Sequence, residues 1–207
     1  MKNIYVVTHT EATHHVQRLV GGWYDTSLTE NGRMQAKKIA TALYNEIGER
    51  NIPIYSSDLK RCVETADIFA EVFGTTVIFD GNLREASWGE ADGKPQDWWN
   101  QNIVHKPING NKLDHRVFRN AESRREVGTR IQSSLDQIVG KLENYTIIIT
   151  HGFALTFVIM AWLKVPVENM EYCHFQPRSG GVTLLREDDL WGSRTVIFLN
   201  KLDYLTD

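Results

Sequence analysis

Cysteine is scarce in this chain. Only Cys62 and Cys173 occur, far apart and in no metal-binding or redox spacing. Neither a disulfide framework nor a thiolate metal centre is expected, and a reducing, cytoplasmic compartment is the default. Long apolar runs are missing too. No stretch approaches the roughly 20 residues that a membrane helix needs. The opening Met1-Lys2-Asn3-Ile4-Tyr5-Val6-Val7 meets polar Thr8-His9-Thr10-Glu11 too soon for a signal peptide. A formal net charge of −3 supplies no basic footprint, so neither nucleic acid nor a membrane is an expected partner. No Gly-x-x-x-x-Gly-Lys-Ser/Thr loop is present, which argues against an NTP-using enzyme. Internal repeats and low-complexity tracts are also lacking.

What remains is an ordinary globular composition, 42% hydrophobic and 24% charged, in 207 residues. Residues 1–207 fit one α/β domain, able to bury about 70% of its unfolded surface. Ile4 to Val7 and Thr146 to Ile149 are continuous apolar runs, as expected of strands covered on both faces of a parallel sheet. A further strand is predicted at Thr76–Phe79.

Helical spacing is read from about Thr29, with a capping box at Ser27–Glu30, through Ala36, Ile39, Ala40, Leu43 and Ile47. A second helix is predicted from Ser57-Asp58 to a stop at Gly74, a third from about Glu122 to Leu142, and a more uniformly apolar one from Gly152 to Leu163. Gly181–Arg186 and Arg194–Asn200 read as a terminal hairpin. Strands alternating with helices give a layered α/β sheet. Periodicity fails over 87–121, where Trp88, Trp98 and Trp99 mingle with Lys94, His105, Lys106, Lys112, His115, Arg116 and Arg119. That segment reads as a substrate-covering insertion, with a solvated surface excursion as the alternative.

Two of the strands end in the same dipeptide, Thr8-His9 and Thr150-His151. In open α/β sheets ligands gather at the carboxyl ends of the strands, so both histidines fall where a site is expected. A helix starting at Gly152 would also aim free backbone N–H groups at that crevice, an anion cradle. A neutral imidazole can act as nucleophile. Phosphoryl transfer then needs positive charge on the non-bridging oxygens and an acid for the leaving oxygen. Arg61 and Glu85 are candidates for those two tasks.

These residues carry a resemblance. His9 with Glu11, Gly22-Trp23 with Asp25, and Leu28-Thr29 with Gly32 and Gln35-Ala36 come first in order. Ser57-Asp58-Leu59-Lys60-Arg61 with Glu64-Thr65-Ala66, Leu83-Arg84-Glu85, Glu122-Ser123 and Thr150-His151-Gly152 follow. Together, over nearly the whole chain, they resemble the histidine phosphatase superfamily, the phosphoglycerate mutase-like group. The resemblance implies a three-layer α/β sandwich, with a mostly parallel central sheet and helices on both faces. It also implies a phosphohistidine mechanism with no metal and no other cofactor. On it, His9 is the nucleophile, Arg61 and His151 contact the phosphoryl oxygens, and Glu85 protonates the leaving alcohol and later deprotonates water. Backbone at Gly21 and Gly22 and at Gly152-Phe153 completes the pocket.

The chain departs from the pattern at the nucleophile. The usual Arg-His-Gly is Thr8-His9-Thr10, and His15 stands where an asparagine is usual. Thr8 offers a hydrogen bond without charge, and Thr10 adds bulk beside His9. In one reading another cation repairs the pocket: Arg18, His14, His15 or a basic residue of the insertion. In the other the chain binds a phosphorylated ligand with little or no turnover. The cluster His9, Glu11, His14, His15 lacks the His-Glu-x-x-His spacing, so no metal site is expected. The chain is short for a phosphoglycerate mutase, which favours a phosphomonoester hydrolase acting on a small phosphorylated substrate. The mutase-type transfer is the alternative, and a homodimer is left open.

Overall fold

In the computed structural model, which describes residues 1–106, 108–142 and 144–205, the first apolar run forms β1 (Lys2–Thr8). Pro107 of the 87–121 segment and the last two residues of the 1–207 span lie outside the described residues. The run is apolar at every position because both faces of the strand are covered. Ile4 and Val6 pack with Ile131, Ile148 and Val158 on one side, while Tyr5 and Val7 pack with Ile39, Phe69 and Ile149 on the other.

After β1 come α1 (Thr13–Val16), α2 (Glu30–Ile47), β2 (Ile54–Ser56), α3 (Lys60–Phe73) and β3 (Val77–Phe79). The chain continues through α4 (Gln96–Asn102), α5 (Arg124–Val139), β4 (Tyr145–Thr150), α6 (Gly152–Trp162), β5 (Val182–Glu187) and β6 (Arg194–Lys201). The six strands form one sheet in the order β3-β2-β4-β1-β5-β6. Its β3-β2-β4-β1 portion is parallel, and β5 and β6 add antiparallel. Helices α2 and α3 cover one face, and α5 and α6 the other, giving the expected α/β layers. Helix α6 is apolar all round because every residue from Ala154 to Trp162 is buried. Among the described residues no helix is long and apolar enough to cross a membrane.

Several element boundaries differ from the sequence reading. Strand β2 was not anticipated, since three residues are too few to show a period, yet it lies between β3 and β4. Helix α2 is capped by Thr29, whose hydroxyl accepts from the Gly32 amide at 2.9 Å, and not by a Ser27–Glu30 box. Ser27 and Leu28 instead run extended against Ala12 and Thr13, the Thr13 amide donating to the Ser27 carbonyl at 2.9 Å. Helix α3 starts at Lys60 rather than at Ser57-Asp58, because the Ser57 amide still continues the sheet, donating to the Ile149 carbonyl at 3.0 Å. Helix α5 starts at Arg124 behind a reciprocal box of Ser123 and Glu126 and stops at Val139, short of Leu142. Within 87–121, where periodicity failed, residues 96–102 form α4.

The joint between β1 and α2 is tight. A Cβ at Gly32 would lie 2.0 Å from the Glu11 carbonyl oxygen, and the Gly32 carbonyl accepts the Thr10 hydroxyl at 2.7 Å. Helix propensity favours alanine over glycine by about 1 kcal/mol, whereas overpacking against backbone costs roughly 1–3 kcal/mol. Gly32→Ala is therefore expected to destabilise, seen as a lower urea midpoint at unchanged m-value. A midpoint at or above wild type would show that the Glu11 turn yields freely.

Candidate active site

Parallel register sets the site. Thr8 lies opposite Thr150 and Ser56 opposite Ile149, so His9, Ser57 and His151 leave the sheet side by side. The rings of His9 and His151 meet edge-on with centroids 5.1 Å apart. Because β5 is antiparallel to β1, with Val182 opposite Val7, the segment before β5 reaches this same end. A cavity of about 200 Å³ opens here.

His9 is buried, and its Nδ1 lies 2.9 Å from the Thr10 carbonyl oxygen. A carbonyl only accepts, so Nδ1 carries the proton and Nε2 keeps its lone pair. Arg61 Nε donates to that Nε2 at 3.2 Å. Burial, reinforced by the Arg61 guanidinium, holds the His9 pKa well below the usual histidine range, so the ring is neutral near pH 7. Arg61 is itself buried and donates to the carbonyls of Gly22 at 2.7 Å and Tyr24 at 3.1 Å. Gly22 takes a positive φ of 48°, and a Cβ there would meet the Asp92 carboxylate at 1.8 Å. At Gly21 a Cβ would come 2.9 Å from His14 Nε2, so both positions need glycine for close approach.

Glu85 corrects the expected anion cradle. The amides of Phe153 and Ala154, at the start of α6, donate at 3.0 Å to the Glu85 carboxylate, and the Ala86 amide adds a third bond at 2.9 Å. The helix terminus is thus filled by the protein's own acid rather than left open for substrate. Burial raises the Glu85 pKa despite these three amides and the Arg61 charge. Its backbone is pinned too: Trp23 Nε1 at 2.7 Å and Arg130 Nη2 at 2.8 Å both donate to the Glu85 carbonyl. Nothing in the sequence pattern marked Arg130, which also pairs with Glu122 at 2.8 Å.

The other expected site residues divide. His151 is fully buried, with Nε2 2.8 Å from the Ser57 hydroxyl and 3.3 Å from Cys62 Sγ, and it packs behind His9 rather than on the cavity wall. Gly21, Gly22, Gly152 and Thr8 border the cavity. Thr10 does not, since its hydroxyl is turned to Gly32. Arg18 is exposed and away from the wall, its carbonyl accepting the Gln96 amide at 2.9 Å. Of the described residues in the 87–121 segment only Trp88 lines this cavity, and none of the segment's basic residues does. Phe153 lines a neighbouring cavity of about 300 Å³, together with Trp88, Trp99 and Lys106.

His14 and His15 both line the catalytic cavity. His15 Nδ1 accepts the Ala12 amide at 3.2 Å, so in the neutral ring Nε2 carries the proton and is a donor. The His14 ring is tied through Nδ1 to the Thr26 hydroxyl at 2.7 Å. His9, His14 and His15 bring ring nitrogens within 4.8 Å of one another. The cluster fits a metal poorly, because the Ala12 amide fixes the wrong tautomer on His15 and Arg61 places a cation beside His9 Nε2. The sequence reading missed Arg178 and Ser179, which also border the cavity. These residues precede an antiparallel strand, and only segments that follow parallel strands are marked by the strand-end pattern.

The model of the histidine phosphatase superfamily (branch 1) matches residues 4–194. The chain belongs to that superfamily. A protein provisionally named phosphoserine phosphatase 2, of Hydrogenobacter thermophilus, is 29% identical over 98% of this chain and 97% of its own length. Another, provisionally named phosphoglycerate mutase GpmB, of Escherichia coli O1:K1 / APEC, is 28% identical over 80% of this chain and 77% of its own. The solved structure of Bacillus stearothermophilus YhfR superposes with a TM-score of 0.79 at 25% identity, covering 99% of this chain and 100% of that one.

Burial of neutral imidazoles makes stability fall in acid. His9 and His151 have pKa values well below the usual range, and that of His14 is pushed down to about 3, chiefly by burial. Below the unfolded value of 6.5 the unfolded chain binds protons that the folded one does not, so stability drops as pH falls from there towards the folded pKa. Glu85 and Asp92, with their pKa values raised by burial, work in the opposite sense, while His15, also lowered by burial, adds to the loss. For His14 alone the loss between about pH 7.5 and pH 5 is roughly 2 kcal/mol. Urea midpoints across that interval should fall steadily; a flat profile would show that the imidazoles are hydrated and free to protonate.

Proposed function

We propose that the protein is a phosphomonoester hydrolase working through a phosphohistidine on His9. The observation that carries the reading is the fixed Nε2 lone pair of His9, facing the Arg61 guanidinium in a cavity that also holds Glu85. In the first step Nε2 attacks phosphorus, the bond from phosphorus to the alcohol oxygen breaks, and Glu85 supplies the proton that oxygen needs. Arg61 turns from Nε2 to the non-bridging oxygens as charge develops there, and His15 donates from its Nε2. His151, hydrogen-bonded to Ser57 and packed edge-on behind His9, holds the attacking ring in place from outside the cavity. In the second step water attacks phosphorus, the bond from nitrogen to phosphorus breaks, Glu85 accepts the water's proton, and phosphate leaves. Side chains alone carry the scheme.

The neighbouring cavity gives this reading a place for the alcohol. Trp88 borders both spaces, and Trp99, Val104 and Phe153 line the second one with Lys106 and Lys112 at its margin. A leaving group with a ring and an anionic substituent suits that lining. The insertion thus shapes the side that receives the alcohol and leaves the phosphoryl clamp to other segments. Cys62 and Cys173 are both unpaired, which fits a reducing, cytoplasmic setting. The mutase-type alternative uses the same first step but returns the phosphoryl group to the substrate. Its support is the likeness to the protein provisionally named GpmB.

Incubation with an aryl phosphate should release inorganic phosphate and trap an acid-labile phosphoenzyme, absent from His9→Ala. Folded protein without turnover on a broad phosphomonoester panel would leave a binding module instead, and isomerisation of a phosphoglycerate outrunning phosphate release would favour the mutase. Glu85→Gln should slow turnover by about 10²- to 10⁴-fold for a poor leaving group, and much less for an activated one such as p-nitrophenolate. Trp99→Ala should raise KM for aryl substrates roughly 3- to 10-fold and leave small aliphatic phosphates unaffected. Equal effects on both substrate types would remove the second cavity from the proposal.

A further inference from the structure

Thr8 cannot act for the arginine that the superfamily pattern places before the nucleophile. Its hydroxyl donates to the Arg178 carbonyl at 2.7 Å and accepts from the Gly181 amide at 3.1 Å, turned wholly towards the segment before β5. That same bond fixes the main chain of Arg178. Further bonds hold the segment from both sides. The Arg178 amide donates to Asn200 Oδ1 at 2.9 Å, Ser179 Oγ donates to the His9 carbonyl at 2.9 Å, and the Thr8 amide donates to the Gly181 carbonyl at 3.1 Å. Arg178 is therefore held in fixed register with His9, although they lie far apart in sequence.

Arg178 borders the catalytic cavity, and among the described residues its guanidinium has no hydrogen-bond or carboxylate partner. Arg61 is differently placed. It already gives donors to His9 Nε2 and to the carbonyls of Gly22 and Tyr24. A phosphoryl dianion bound at His9 would meet one partly committed guanidinium, that of Arg61, and a second, that of Arg178, with every donor free. Among the described residues no other arginine or lysine lines the cavity. Planar guanidinium donors match phosphoryl oxygens in pairs, which a threonine hydroxyl cannot.

We propose that Arg178 supplies the second phosphoryl-binding guanidinium of this site, with Thr8 as the positioning residue that holds its main chain. The clamp is rebuilt with its charge moved from the residue before the nucleophile to the loop before β5. The inference rests on the phosphoryl-transfer reading of the cavity, and its test is chosen to stand apart from turnover.

Calorimetric titration with inorganic phosphate is the primary readout. Arg178→Ala should weaken phosphate binding roughly 10- to 100-fold, with the thermal midpoint unchanged because the side chain is exposed. Arg178→Lys should recover part of the loss. Thr8→Val should weaken binding in the wild-type background but add little in Arg178→Ala, whereas a merely structural role for Thr8 would give additive losses. Thr8→Arg should bring no gain by itself, yet Thr8→Arg combined with Arg178→Ala should bind better than Arg178→Ala alone. Phosphate binding unaltered in Arg178→Ala, or absent from the wild type, overturns the proposal. If phosphate binds and depends on Arg178 but no phosphohistidine forms, the hydrolase reading fails and Arg178 stands as part of a phosphate-binding site.

Discussion

A buried guanidinium governs this site. Arg61 lies in the first turn of α3 with almost no exposure, and its Nε–H points at the one nitrogen of His9 that can attack. Burial lowers the pKa values of His9, His14 and His151, and the Arg61 charge pushes each further in the same direction. Three imidazoles are kept neutral beside a permanent cation: neutrality leaves His9 the lone pair that attack needs, and the guanidinium repels a second positive ion. Among the described residues the cation has no carboxylate in contact and is held by the carbonyls of Gly22 and Tyr24. Glu85, Asp25 and Asp92 act on it only from a distance, so much of its charge remains for an entering anion.

The acid is treated differently. Glu85 is tied to the start of α6 through two amides, so the group that exchanges protons is also the group that satisfies a helix terminus. Helix α6 offers little freedom in return, being buried against α5 and the sheet along its length. Arg130, reaching from α5 to the carbonyls of Asn82, Arg84 and Glu85, locks the turn from the other side. The acid is thus positioned by both helices of one layer, and the nucleophile by the sheet.

The parts of the fold legible in the sequence were those with an unbroken period or a strong terminator. The runs at Ile4–Val7 and Thr146–Ile149, the stop at Gly74 and the terminal hairpin all correspond to elements of the structure. Strand β2 escaped because Ile54-Tyr55-Ser56 is too short to carry a pattern, and its place beside β4 comes from tertiary pairing. In the site, His9, Arg61 and Glu85 were readable as chemistry attached to strand ends and a helix start. Arg178 was not, because its relevance depends on β5 running antiparallel, which brings a preceding loop to an edge where following loops were expected. At the Gly152–Phe153 turn Gly152 borders the cavity, but the Phe153 amide was misjudged for a related reason. Free amides can be inferred from a helix start, but which anion claims them is decided by a residue in a distant turn.

The position of β1 in the sheet has a bearing on biogenesis. Tyr5 pairs with Ile147 on one side and Leu184 on the other, so both neighbours of the first strand come from the last third of the chain. Until β4 and β5 have been made, β1 and the His9 that follows it stand with two bare edges. Arg61 and Glu85 follow, but the segments that cap the strand end and fix Arg178 arrive only with β4 and β5. Closure of the sheet around β1 is thus the event that turns a set of reactive side chains into a site. The strand order makes the site a late product of folding, and leaves β1 unpaired until both of its partners are present.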